Sequence, residues 1–255
     1  MRIEARKKRT RIVANAQKKR KKTKKRESKQ RFKNRMRLLK FFGLLVITLL
    51  IYLSYCFFTL PDINEAVSRT RQPSTTIIAE NGNEVQTFGT VYSEVIRSEE
   101  LPQYVIDAIV STEDRRFYGH FGFDIISFTR AMIANVFAGR YAQGGSTITQ
   151  QVAKNLFLTS QKSIKRKTQE LLLAFWLEHK FSKEQILTLY LNRVYLGAGT
   201  YGIEAASQKY FQKSSRDLNL LEAAIIAGML KAPSRYNPIA SKERTMERAK
   251  VVLQN

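Results

Sequence analysis

Between Lys40 and Asp62 the chain runs for 20 residues, Phe41 to Leu60, without a charged side chain, and Leu, Ile, Phe and Val dominate it. Twenty residues of helix span about 30 Å, the hydrocarbon thickness of a bilayer. A buried core helix is the competing reading, but few core helices are this long and uniformly apolar. A cleaved signal peptide has a shorter apolar region followed by small residues, and neither feature is present. The bulky Tyr55 immediately before Cys56 also breaks a lipoprotein pattern. Cys56 is the only cysteine, so the chain has no disulfide framework. Whatever folds beyond the segment must be held by its own core.

Charge sharpens this picture. Of a net +23, residues 1–40 hold +18, with 20 Lys/Arg against Glu4 and Glu27. The other 215 residues hold only +5, so basicity belongs to a tail and not to the folded body. A run such as Lys18 to Arg26 repels itself and has no apolar period, which predicts disorder in solution. The positive-inside rule keeps this tail cytoplasmic and exports the residues after 61. The expected layout is a basic cytoplasmic tail over 1–40, a plasma-membrane signal anchor over 41–60, a stalk and hairpin over 61–100, and an extracytoplasmic domain over 101–255. Anionic lipid is the expected partner of the tail, with a protein partner as the alternative. Nucleic acid is not expected, because the tail and the domain lie on opposite sides of the membrane.

After a short polar stalk, Pro61 to Thr70, two β-branched runs flank an Asn81-Gly82 turn: Thr75 to Ala79 and Glu84 to Phe88. That pattern predicts a β-hairpin. From Leu101 the period becomes helical. Pro102 suits a first turn, and Val105, Ile106, Ile109 and Val110 make one apolar face. Further helices are expected over 124–138, 146–158, 162–180, 183–192 and 219–231, and from Arg248 to Gln254. Ser182 with Gln185 and Asn219 with Glu222 are capping-box pairs. The body is therefore mainly α, with no strand–helix alternation to suggest a parallel sheet.

Three polar clusters punctuate these helices. The first is Glu113-Asp114-Arg115-Arg116-Phe117-Tyr118-Gly119-His120-Phe121-Gly122. Glu113 ends an apolar helix face, where partial desolvation raises a carboxyl pKa and makes the carboxylate a better proton acceptor near neutrality. Taken alone, the same residues also read as a surface ion-pair cluster, and His120 as a structural hydrogen-bonder. The second is Gly145-Ser146-Thr147-Ile148-Thr149-Gln150-Gln151. Thr147, Gln150, Gln151 and Lys154 share one helix face, whose hydroxyl, amides and ammonium suit a sugar diphosphate or, equally, water. The third is Arg166-Lys167-Thr168-Gln169-Glu170, which supplies cations for a diphosphate or a surface salt bridge. With His120 and His179 as the only histidines and no second cysteine, no His/Cys metal cluster can be composed.

In order and spacing these clusters closely resemble the peptidoglycan glycosyltransferases, the lysozyme-like enzymes of class A penicillin-binding proteins and monofunctional transglycosylases. The resemblance runs from about Leu101 to Asn255. It adds a fourth block, Lys183 to Gly197 with Tyr190-Leu191-Asn192, and a fifth, Leu221-Glu222-Ala223-Ala224 through Pro233 to Pro238. One departure is Gln212 after Tyr210-Phe211, where the family commonly has glycine, which puts a local turn in doubt.

The resemblance implies a lysozyme-like fold with a larger helical lobe and a smaller lobe near the membrane. It implies polymerisation of lipid II onto the growing glycan strand, with Glu113 and Glu170 as catalytic residues. Asp114, Phe117, His120, Thr147, Gln150, Gln151, Lys154, Arg166, Lys167 and Tyr195 are then substrate-binding. No cofactor is required, although a divalent cation (Mg or Mn) can neutralise the diphosphate near Glu170. Membrane lipids and cell-wall synthesis or division proteins are implied partners. Bifunctional members carry a downstream transpeptidase with Ser-x-x-Lys, and no serine here has lysine three residues on. The chain therefore reads as the N-terminal part of a bifunctional protein or as a monofunctional enzyme. A lysozyme-like hydrolase is the alternative, separated by the cationic set Lys154, Arg166 and Lys167. The apolar excess of Phe123 to Phe137 predicts either insertion into the outer leaflet or ordinary core packing.

Overall fold

The computed structural model describes residues 32–61, 75–78, 84–88, 94–140, 144–159 and 161–254. The expected stalk after Pro61, the hairpin turn and most of the basic tail lie outside the described residues. Two compact units divide the chain, one ending at Phe58 and the other running from Thr59 to Asn255.

The described part of the first unit is one helix, α1 (Phe32–Phe58), 27 residues long with mean hydropathy 2.3 in its most apolar window. By length and composition it can cross a membrane. It begins nine residues before the uncharged segment, because Lys33, Arg35, Arg37 and Lys40 are tolerated on a helix whose sides are exposed.

The second unit opens with an antiparallel hairpin, β1 (Thr75–Ile78) and β2 (Glu84–Phe88), paired Thr75 to Phe88 with an irregularity between Ile77 and Ile78. Among the described residues, the later elements are all helices. In order come α2 (Gln103–Glu113), α3 (Ile125–Ala138), α4 (Ile148–Phe157), α5 (Ile164–Lys180) and α6 (Lys183–Arg193). Then follow α7 (Ile203–Phe211), α8 (Leu220–Met229), the short α9 (Pro233–Tyr236) and α10 (Lys242–Leu253).

The core is built as the period of α2 requires, with Val105, Ile106, Ile109 and Val110 all buried. Helix α8 buries every residue from Ala223 to Met229 and packs between α2 and α10. Gly228 permits that closeness, since a Cβ there would meet Arg248 Cγ at 3.0 Å. On the other side α4 packs on α5 and α6, contributing Ile148, Val152 and Ala153. Each fully buried Leu or Ile stabilises the fold by about 1.5–3 kcal/mol, so Leu173, Leu177 and Leu191 are sites where truncation to Ala should cost about 2–5 kcal/mol.

Caps set the register. Ser182–Gln185 and Asn219–Glu222 form the expected capping boxes, and a third, Thr147–Gln150, opens α4. Asn192 fastens the segment before α2: its Oδ1 accepts from the Ile96 amide at 3.0 Å and its Nδ2 donates to the Ile96 carbonyl at 2.7 Å. Gln212 ends α7 in the left-handed region, φ 57°, the conformation that glycine usually supplies. The turn at this departure from the family pattern therefore forms, under backbone strain.

Candidate active site

Helix α2 ends at Glu113, and there its side chain enters a cavity of about 770 Å³. The cavity is bounded by the end of α2, the cavity-facing Ser127 and Arg130 of α3, the loop 144–147, Gln151 of α4, and Leu230, Lys231 and Arg248 from the α8–α10 side. Gly145 lets the loop lie against α3, where a Cβ would sit 3.2 Å from Phe128 Cα and 3.3 Å from Ala131 Cβ.

Glu113 Oε2 accepts a hydrogen bond from Gln151 Nε2 at 2.7 Å. Burial pushes its pKa up, and Asp114 adds to that. The Gln151 amide and the charges of Arg248 and Lys154 oppose the rise but do not cancel it. A carboxylate with a raised pKa, fixed by one amide and facing a cleft, is placed to take a proton.

Its neighbour has a different task. Asp114 is buried, and its carboxylate accepts from His120 Nε2 at 2.9 Å and from the Ile148 amide at 3.0 Å. It thus ties the loop after Glu113 to the first turn of α4, and the carboxylate fixes the His120 tautomer as Nε2–H. Thr147 and Gln150 serve the same junction. Thr147 Oγ1 donates to the Gly122 carbonyl at 2.7 Å, and Gln150 Oε1 accepts from the Thr147 amide at 3.1 Å. Gln150 is 1% exposed, so it caps a helix instead of contacting sugar. The sequence carries that signal as Thr-x-x-Gln, a capping-box pattern. Phe117 also departs from expectation. It is 0% exposed in the core, with Lys183 Nζ 4.5 Å from its ring centroid, and cannot touch a substrate.

The third cluster adjoins the cavity through its loop. Lys167 Nζ donates to Ser146 Oγ, a lining residue, at 2.7 Å. Glu170 is buried between cations: Oε2 accepts from Arg166 Nη1 at 3.0 Å, and Oε1 from Lys167. Both oxygens are therefore committed, and no group of three metal-ligating side chains occurs among the described residues. A divalent ion at Glu170 does not fit this donor set without displacing Arg166 or Lys167. Tyr195 stands apart from the cavity lining and packs on Tyr201, ring centroids 5.0 Å apart.

Sequence reasoning missed Arg130, Lys231 and Arg248 of the lining. Arg248 lies 135 residues from the Glu113 whose charge it faces, and only the α8–α10 packing brings them together.

The site is thus a partly buried glutamate at a helix end, over a cation-lined cleft in a helical body. Similarity to known proteins identifies the family. The sequence profile described as Transglycosylase matches residues 81–255, and the chain belongs to that family. It is 44% identical over 209 residues to penicillin-binding protein 1A of Aquifex aeolicus, covering 82% of this chain and 29% of that protein. It is 44% identical over 180 residues to penicillin-binding protein 1F of Bacillus subtilis, covering 71% of this chain and 25% of that one. A crystal structure of penicillin-binding protein 1A from Haemophilus influenzae is similar at 28% identity and TM-score 0.42, over 72% of this chain and 18% of that chain. The chain thus spans between a quarter and a third of the length of the Aquifex and Bacillus proteins.

Proposed function

We propose that this chain polymerises lipid II into β-1,4-linked glycan, as the transferase portion of a bifunctional penicillin-binding protein. One observation carries the reading: Glu113, its pKa raised by burial, faces a cavity lined by Arg115, Arg130, Lys231 and Arg248, and Lys167 of a second cationic cluster reaches the lining residue Ser146. Both substrates of such a polymerase carry a diphosphate, so two cationic sets are what the chemistry needs.

In the proposed step, Glu113 takes the proton from the 4-hydroxyl of the acceptor GlcNAc. That oxygen attacks the anomeric carbon of the donor MurNAc, the carbon–oxygen bond to undecaprenyl diphosphate breaks, and configuration inverts from α to β. The diphosphate leaves as a stable anion and needs neutralisation more than a proton. Arg166 and Lys167, both held by Glu170, supply it together with Lys154. Arg115, Arg130, Lys231 and Arg248 then hold the acceptor diphosphate. No step is routed through a metal.

A hydrolase on this frame would want a second free carboxyl to protonate the leaving oxygen. The other carboxylates lining the cavity, Asp114 and Asp124, are each committed to internal partners. That favours transfer over hydrolysis.

The localisation we propose is the plasma membrane, with the N-terminal tail cytoplasmic and residues after 61 outside. Helix α3 rests in the outer leaflet beside the lipid substrate: Val136 is 74% and Phe137 87% exposed, and Ala131 is the buried residue of the helix. Membrane lipid, lipid II and the growing strand are the partners, and cell-wall synthesis or division proteins are further candidates. The test is Glu113→Gln, which keeps shape and removes the base. Lipid II polymerisation should fall about 10²–10⁴-fold with donor binding retained; a rate within a few-fold of wild type sinks the assignment.

A further inference from the structure

Helix α3 is fastened to the rest of the site at its N-cap. Asp124, its N-cap, is 4% exposed and lines the same cavity as Glu113. Its Oδ1 accepts from the amides of Ile126 and Ser127, both at 3.1 Å. Arg116 grips the same carboxylate with two nitrogens, Nε at 3.0 Å from Oδ2 and Nη2 on Oδ1. Burial alone would raise the Asp124 pKa, yet the guanidinium and the Ser127 hydrogen bonds outweigh it and hold the carboxyl far below its ordinary range. Arg116 lies three residues after Glu113, in the loop that leaves α2.

The opposite flank of α3 is fastened too. Gly145 is pressed onto Phe128 and Ala131, and Thr147 donates to the Gly122 carbonyl. The start of α3 is thus joined to the loop that follows Glu113 and to the loop entering the helix that carries Gln151. A helix with a single buried side chain has little core packing of its own to fix its pose. Its position depends on these junctions and on the medium around Ile125, Ile126, Val136 and Phe137.

We propose that Arg116 and Asp124 are positioning residues that lock the lipid-facing helix α3 to the Glu113 loop, so that the seating of α3 in the bilayer sets the geometry at the catalytic carboxylate. This rests on the transferase reading and on the lipid contact of α3. A bidentate guanidinium–carboxylate pair with a buried carboxylate is suited to the task, because its two parallel hydrogen bonds fix angle as well as distance.

The two functions of Asp124 can be separated. Asparagine caps a helix about as well as aspartate, so Asp124→Asn keeps the start of α3 and removes the charge that Arg116 grips. Arg116→Gln attacks the pair from its more exposed side and guards against misfolding of the first variant. The full-length chain would be assayed for lipid II polymerisation in phospholipid vesicles and in detergent micelles, with wild type and Glu113→Gln alongside. In vesicles each variant should lose about 10-fold or more in kcat, with KM for lipid II and vesicle binding within twofold of wild type. The double variant should be no slower than the worse single one, since both break one contact. Arg116→Lys, which keeps charge, should restore part of the rate. In micelles, which impose no fixed depth on α3, the gap from wild type should shrink. Either variant at wild-type kcat in vesicles overturns the proposal, and so does an equal loss in vesicles and micelles, which would mark the pair as merely structural. Failure of the transferase reading looks different: wild type and Glu113→Gln would then polymerise alike, or not at all.

Discussion

Glu113 and Asp114 are adjacent in sequence and opposite in use. One carboxylate keeps a single amide donor and a raised pKa, while the other is spent on His120 and the first amide of α4. The pH dependence follows from the groups around Glu113. Its base form must be present for the reaction, so the acid limb of the rate should lie above the range of an ordinary glutamate. Arg248 holds the pKa down, so Arg248→Gln should move that limb to higher pH, and Gln151→Leu should do so as well. Rate–pH profiles of the two variants check this, and an unmoved limb in both would refute the electrostatic account. Stability has the matching sign. A carboxyl whose folded pKa is raised is least costly below its unfolded pKa and destabilises progressively as pH rises through the folded value. Glu113→Gln should therefore melt at the same temperature or higher at neutral pH, while catalysis collapses. Gln212 gives a second residue-scale test: relieving its left-handed backbone with glycine should stabilise by about 1 kcal/mol, read as a higher Tm.

At the scale of elements, local chemistry made most helices legible. The expected spans 124–138, 162–180 and 183–192 correspond to α3, α5 and α6 within a few residues, because their caps (Asp124, Ser163, Ser182) and apolar periods are written locally. Helix α7 was not legible. It starts after Gly202 at φ 86° without a side-chain cap, and its buried face includes Glu204 and Ser207, so no apolar stripe announces it. Helix α10 starts at Lys242, six residues before the expected Arg248, since its first turn is strongly charged. Site residues failed for a related reason. Spacing places Phe117 and Gln150 on the right segments but cannot say which way a side chain turns. Helix α3 carries the element-scale prediction. Its apolar side chains Phe128 and Phe137 are 43% and 87% exposed, an arrangement that suits lipid. In a chain starting at Thr59, which removes α1, Phe128→Ser with Phe137→Ser should weaken liposome binding by about 10²-fold or more, since burying each such side chain in apolar surroundings is worth about 1.5–3 kcal/mol. Unchanged co-sedimentation with liposomes would count against lipid contact by α3.

For the whole molecule the uneven distribution of charge is the governing fact. A net +18 lies in residues 1–40 and +5 in the remainder, on either side of an uncharged segment long enough to span a bilayer. Lysine and arginine close to a spanning helix set its orientation, because they are retained on the cytoplasmic side. The same asymmetry separates two kinds of cation. We propose that those of the tail meet an anionic membrane surface, where each such residue is worth about 1 kcal/mol and is screened by salt. Those of the remaining residues number 24 against 19 acids, and at the candidate site Arg166 and Lys167 are paired with the buried Glu170, so their effect should survive moderate salt. Replacing the basic residues from Lys18 to Arg26 with Gln and Ser should therefore leave lipid II polymerisation in vesicles within about twofold of wild type. It should lower the affinity of a peptide of residues 1–40 for anionic vesicles, and high salt should lower the wild-type peptide to the same level. In spheroplasts, external protease should remove the domain of the wild-type chain and spare an epitope placed before Arg2, as the orientation requires. Loss of that epitope with the domain intact would place the domain inside, and the polymerase reading would fall with it, since its acceptor strand lies outside.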